Sequence, residues 1–163
     1  MWYNTTICYK SKAKIKPIGC YKPICLPIRH RLLSWGLINS AECCLCSFDT
    51  ETRDHFLLLC DFSSQVWRMV FLKLYLCQPL FCTWAELFSW TRQSSPTVPS
   101  LLRKVVAHLV VYNLWRKRNN VLHNSHRVSF SVVFRLIDGE LRNVISSRRH
   151  MKRWRELTVF WIR

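Results

Sequence analysis

Glycine is scarce in this 163-residue chain, with only Gly19, Gly36 and Gly139. Tight β turns draw on glycine for positive φ, so the scarcity argues against an all-β protein and favours helices. Acidic residues are few as well: nine against 25 Lys and Arg, a formal net charge of +16. That excess favours nucleic acid, RNA or DNA, or another polyanion as a partner. Long apolar runs are missing. "AHLVVYNLW" is short and flanked by Arg and Lys, well below the roughly 18 residues of a spanning helix, so no membrane partner is expected. The start, "MWYNTTICYKSKAKIK", has neither the apolar stretch nor the small-residue cleavage site of a secretory signal. The expected location is intracellular, nucleus or cytoplasm, and not secreted. No nucleophile–base pair and no Gly-rich phosphate loop is in view, so neither enzyme activity nor a small-molecule substrate is expected.

What is present is unevenly placed. Residues 1–41 hold seven Lys and Arg and no acid. Residues 42–61 hold five acids, Glu42, Asp49, Glu51, Asp54 and Asp61, against Arg53. Residues 103–163 return to fourteen Lys and Arg against three acids. An acidic island therefore separates two basic arms.

The apolar pattern predicts a mainly α chain: a small helical domain around a Cys/His loop, followed by long basic helices. Residues 1–28 carry three prolines among spaced lysines and read as an irregular basic arm. "RHRLLSWGLI" (29–38) reads as a short helix closed by Gly36. A helix over 62–77 is expected, capped by Asp61 or Ser63, with Val66, Trp67, Val70, Phe71, Leu74 and Tyr75 on one face. Thr83 and Glu86 have capping-box spacing. "RQSSPTVPS" (92–100) reads as a linker between a domain at 29–91 and a helical region at 101–163. The strongest helix pattern falls at about 100–123. A final helix or pair spans 129–160, with Gly139 as the expected interruption.

The chemistry concentrates in "CCLCSFDTETRDHFLLLC", residues 43–60. Its spacing is Cys43-x2-Cys46-x8-His55-x4-Cys60. A Cys-x2-Cys turn clamps an ion from one side, and a nearby His and Cys complete a tetrahedron. Three thiolates and an imidazole favour zinc over magnesium or calcium. One closed, structural Zn2+ is expected on Cys43, Cys46, His55 and Cys60, with Cys44 as a bystander. The alternatives are disulfides and a buried sulfur-rich turn without metal. An intracellular setting and an odd total of nine cysteines count against disulfides. His108, His123, His126 and His150 have no partnering Cys or acid nearby, and no second metal site is expected.

These residues resemble a known family. "HRLLSWGL…CCLC…ETRDHFLLLCDFSSQVW" is similar to the zinc-binding domain that follows the reverse transcriptase of non-LTR, LINE-type retrotransposons, especially those of plants. Arg31, Leu32, Trp35 and Gly36 match the first helix of the pattern. Cys43 and Cys46 match its first ligand pair, Glu51, Thr52 and His55 its central segment, and Cys60, Ser64, Val66 and Trp67 its exit. The likeness covers about residues 29–70. A second patch, "VVYNLWRKRNNVLHN", resembles a segment found downstream in the same elements. The prolyl-lysyl arm departs from the pattern, and Phe56 stands where Leu is commoner.

The resemblance implies a zinc-binding, nucleic-acid-associated module derived from a retrotransposon reverse transcriptase polyprotein. It would stand without the catalytic domains, since the chain has no Asp-Asp pair. The alternatives are a structural or protein-interaction zinc module, docking on reverse transcriptase or other retroelement proteins, and a non-functional gene fragment. The ligand loop is acidic, so phosphate contacts are expected from basic residues elsewhere. The candidates are Lys10, Lys12, Lys14 and Lys16 in the arm, with Arg116, Lys117, Arg118, Arg148, Arg149, Lys152, Arg153 and Arg155 in the helices. The zinc loop would then serve as a clasp for the helices at 29–38 and 62–77.

Overall fold

A computed structural model describes residues 27–124 and 129–162. Most of the expected basic arm therefore lies outside the described residues. The described chain is mainly α: α1 (Arg29–Ser34), a π-helical turn (His55–Leu59), α2 (Asp61–Lys73), α3 (Trp84–Arg92), α4 (Ser100–Asn124), α5 (Phe130–Ser147) and α6 (Lys152–Trp161). Extended pairing among the described residues is a single antiparallel bridge, Glu42 with Thr50.

Gly36 ends α1 as expected. It takes φ +67, and the Gly36 and Leu37 N–H groups donate to the Leu33 and Leu32 carbonyls at 2.9 and 3.0 Å. That pair of bonds is the Schellman closure, which needs a left-handed residue. The same closure ends α2, where Tyr75 takes φ +54 and the Leu76 N–H donates to Phe71 at 2.9 Å. The helix expected to 77 thus stops at Lys73, and Tyr75 is exposed rather than on the apolar face.

The start of α2 also differs from expectation. Its N-cap is Cys60, and Asp61 is the first helical residue. Ser63 is buried and donates to the Phe56 carbonyl at 2.6 Å. At α3 the Thr83 half of the capping box forms, the Glu86 N–H donating to Thr83 Oγ1 at 3.2 Å, and the return bond shifts by one residue. The Glu86 carboxylate returns to the Cys82 N–H at 2.8 Å.

Helix α4 is the axis of the fold. It packs on α2, α3, α5 and the π turn. Being enclosed, it buries residues all round: Leu102, Val105, Val106, Val110 and Leu114, but also Arg103, Asn113, Lys117 and Arg118. Helix α5 lays Val133, Ile137, Leu141 and Ile145 against the core at strict four-residue spacing. Each such buried aliphatic side chain contributes about 1.5–3 kcal/mol. One apolar cluster runs from Phe56 to Trp161.

Within the stretch 92–100, Val98 joins this cluster. Val98 is fully buried, and the Arg103 guanidinium donates to the Val98 carbonyl and Ser95 Oγ. Gly139 does not interrupt α5. A Cβ there would meet nothing within 4 Å, so the helix runs through at the modest cost of a mid-helix glycine. The break falls after Ser147, where Arg148 becomes the C-cap of α5 and Met151 the N-cap of α6.

Candidate metal centre

Two local structures bring the four expected ligands together. The first is the turn of Cys43 and Cys46. Its ends are joined by Cys43 N–H to the Asp49 carbonyl and Glu51 N–H to the Ala41 carbonyl, both at 2.7 Å. Ser47 turns the chain back with φ +61, and its N–H donates to the Cys43 carbonyl at 2.7 Å. The second is the π turn. Thr52 starts it by accepting from the His55 N–H through Oγ1 at 3.1 Å. The Cys60 N–H then donates to the His55 carbonyl at 2.7 Å. This five-residue closure is wider than an α turn and sets both ends of the His55-x4-Cys60 segment on one side.

The result is a compact donor set. Cys46 Sγ and His55 Nε2 are 3.3 Å apart, and Cys43 Sγ and Cys60 Sγ are 3.9 Å apart. All four donor atoms lie within 4.8 Å of one another. A tetrahedral zinc with its usual Zn–S and Zn–N lengths spaces its ligand atoms about 3.5–3.8 Å apart. The residues fit one zinc ion with a modest contraction. With four protein donors, the site is closed and structural. Among the described residues no other cluster of this kind occurs.

The surroundings act differently on the three buried or half-buried thiols. The Cys43 thiol is lowered to about 5, chiefly by its hydrogen bond with Cys60 and further by the N–H groups of Cys46 and Leu45. Cys60 is pushed up by the same contact with Cys43 and by burial. Cys60 also caps α2, where the helix N-terminus favours negative charge. His55 Nδ1 lies 3.7 Å from the exposed Asp49 carboxylate, while Nε2 faces Cys46 Sγ. Cys44 stays outside the set. Burial pushes its thiol up to about 12, and the charge of Glu51 adds to the effect.

The fold divides the predicted phosphate contacts into three groups. Lys10, Lys12, Lys14 and Lys16 lie outside the described residues. Lys117 and Arg118 are buried. Arg118 donates from Nη2 to Glu51 at 2.7 Å and to the Pro27 carbonyl at 3.0 Å. These two residues are turned inward because α4 is enclosed, and they are not open to phosphate. Arg116 is about half exposed, 3.8 Å from Glu140. At the corner of α5 and α6, Arg148 rests over the Trp154 ring at 4.7 Å. Arg149, Lys152, Arg153 and Arg155 are exposed there. Trp115 is no open stacking platform, since it meets Phe56 edge-on at 6.3 Å with Arg118 over its ring.

Sequence reasoning missed the work of Glu51. It is fully buried and accepts at Oε1 from the Arg29 N–H, Arg118 Nε and Arg118 Nη2 at 2.9, 3.1 and 2.7 Å. Both motifs were visible, one with Glu51 and one with Arg118. Their contact across the chain was not.

Comparison with known proteins gives one match, over part of the chain. Residues 4–67 match the family described as zinc-binding in reverse transcriptase. This zinc-binding segment contains all four donors and ends at Trp67. It begins within the basic arm, so the likeness reaches further toward the N-terminus than residue 29. It corresponds to a zinc-binding domain and not to a catalytic reverse transcriptase domain. No curated protein and no solved structure matches the chain. No helix among the described residues is long and apolar enough to cross a membrane.

Proposed function

We propose that the chain is a non-catalytic nucleic-acid-binding module of a retroelement, in which one zinc holds the fold and a basic corner holds the phosphates. The observation that carries this reading is the exposure of Arg149, Lys152, Arg153 and Arg155 at the junction of α5 and α6. Four cations within seven residues, with only Glu156 beside them, form a compact positive patch. The acidic metal loop has the wrong sign for that job. A closed four-ligand site also leaves no position for an activated water. RNA or DNA of either strandedness meets such a patch through its backbone. Thiolate ligands suit an intracellular, reducing location.

Filter binding to a mixed-sequence RNA and DNA tests the reading. Replacing Arg149, Lys152 and Arg153 by Gln is expected to weaken binding. It should also flatten the dependence of log affinity on log salt by about 0.7–0.9 per lost phosphate contact. Unchanged affinity and slope would overturn it.

One observation favours protein docking as a second reading. Leu33, Trp35, Leu37 and Phe48 are exposed on α1, the turn that ends it and the ligand loop, Phe48 at 86 %. Exposed apolar side chains suit a protein partner such as reverse transcriptase. Salt-insensitive binding to that protein, lost in a Trp35→Ser/Phe48→Ser variant, would favour this reading over the first.

A further inference from the structure

The metal loop and α4 are joined at two points. At the first, the Arg118 fork reaches the Glu51 carboxylate and the Pro27 carbonyl together. Glu51 lies between the two ligand pairs. Its N–H donates to Ala41, two residues before Cys43, and its carbonyl accepts from the His30 N–H at 3.3 Å. Its neighbour Thr52 fixes His55. At the second point, Trp115 on α4 meets Phe56, the residue after His55. The guanidinium of Arg118 lies 5.1 Å from the Trp115 ring and ties the two points together. The Glu51–Arg118 pair is almost wholly out of water, with side-chain exposures of 0 % and 4 %.

We propose that Arg118 is a positioning residue for the metal site, acting from α4 through Glu51 to hold both ligand pairs in register. The zinc module then extends through α4, well beyond the matched segment at 4–67. This inference rests on the reading that Cys43, Cys46, His55 and Cys60 hold zinc. Arginine is suited to the role because its rigid fork serves two acceptors at once. Lysine offers a single point charge and would lose one of them.

The experiment uses the full chain, with zinc affinity read by competition with a chromophoric chelator and site symmetry by the absorption of the cobalt-substituted protein. Arg118→Met is expected to lower zinc affinity about 10–100-fold, the usual effect of losing a partner that orients the ligands. Arg118→Lys is expected to fall between Arg118→Met and the wild type. Leu141→Ala, a core truncation in α5, is expected to lower stability but leave the affinity of the folded protein within about twofold.

Arg118→Met leaves Glu51 buried without its partner and risks unfolding. Glu51→Gln/Arg118→Met removes both charges and is the variant to fall back on. It is expected to fold, and to bind zinc no more weakly than Arg118→Met alone, because both changes break one link. Wild-type zinc affinity and an unchanged cobalt spectrum in either variant would overturn the role of Arg118 while leaving the metal site standing. An equal loss in Leu141→Ala would also overturn it, as an effect of general destabilisation. A wild-type chain that binds no zinc would remove the metal site, and this inference with it.

Discussion

The Cys60 N–H donates to the His55 carbonyl at 2.7 Å, spanning five residues where an α-helix spans four. That extra residue makes a His-x4-Cys pair converge on one ion. The carbonyls of the wide turn are then served by α2: Ser63 Oγ donates to Phe56 at 2.6 Å and Trp67 Nε1 to Leu57 at 2.9 Å. Deleting Leu59, which is half exposed, shortens the turn to α spacing and moves Cys60 out of register. Loss of tight zinc binding is expected, measured by chelator competition, and retention at wild-type affinity would show that the turn does not set the site.

Trp67 anchors the turn to the core. Its ring is buried among Phe71, Phe81 and Trp90, with centroids at 6.0, 5.2 and 6.3 Å. Trp67→Phe keeps most of the apolar contact but leaves the Leu57 carbonyl without its donor, at a cost of about 1–3 kcal/mol. Trp67→Ala adds a cavity and is expected to cost about 3–5 kcal/mol. Urea unfolding of the zinc-loaded chain measures both, and unchanged stability in Trp67→Phe would show that the hydrogen bond contributes nothing.

Gly139 offers a gain. It lies inside α5 with open space around the missing Cβ. Gly139→Ala is expected to stabilise the chain by about 0.5–1 kcal/mol, through lower unfolded-state entropy and better helix propensity. A rise in melting temperature checks this.

Burial on α4 lowers the His108 imidazole below its ordinary value of 6.5. The folded chain therefore holds this ring neutral at pH values where the unfolded chain protonates it. The associated stability is fully present above pH 6.5 and is lost as pH falls below that value. Urea midpoints at pH 7.5 and 5.5 should fall with acid, and fall less in His108→Gln. An identical fall in both proteins would assign the acid sensitivity to other groups.

Much of this structure can be read in the chain because local signals agree. Thr83 and Glu86 mark the start of α3, Gly36 marks the end of α1, and the Cys/His spacing marks the donors. Other features depend on neighbours that spacing cannot reveal. Lys117 and Arg118 look like surface cations in a basic stretch, yet α4 is enclosed and carries them inside. Glu51 looks like one more acid in the island, yet it bonds a residue 67 positions away. Tyr75 belongs to the apolar pattern of α2 but falls one residue beyond its C-cap, in a left-handed conformation the pattern does not encode. Gly139 looks like a break, and only the packing of the four aliphatic residues of α5 shows that the helix continues.

The central claim is a single closed zinc site on Cys43, Cys46, His55 and Cys60. Metal analysis of the purified full chain, with circular dichroism before and after chelation, tests it most directly. The expected result is one zinc per chain, loss of helix on chelation, one zinc retained in Cys44→Ser and none in Cys60→Ser. No zinc in the wild type, or zinc retained in Cys60→Ser and lost in Cys44→Ser, would contradict it.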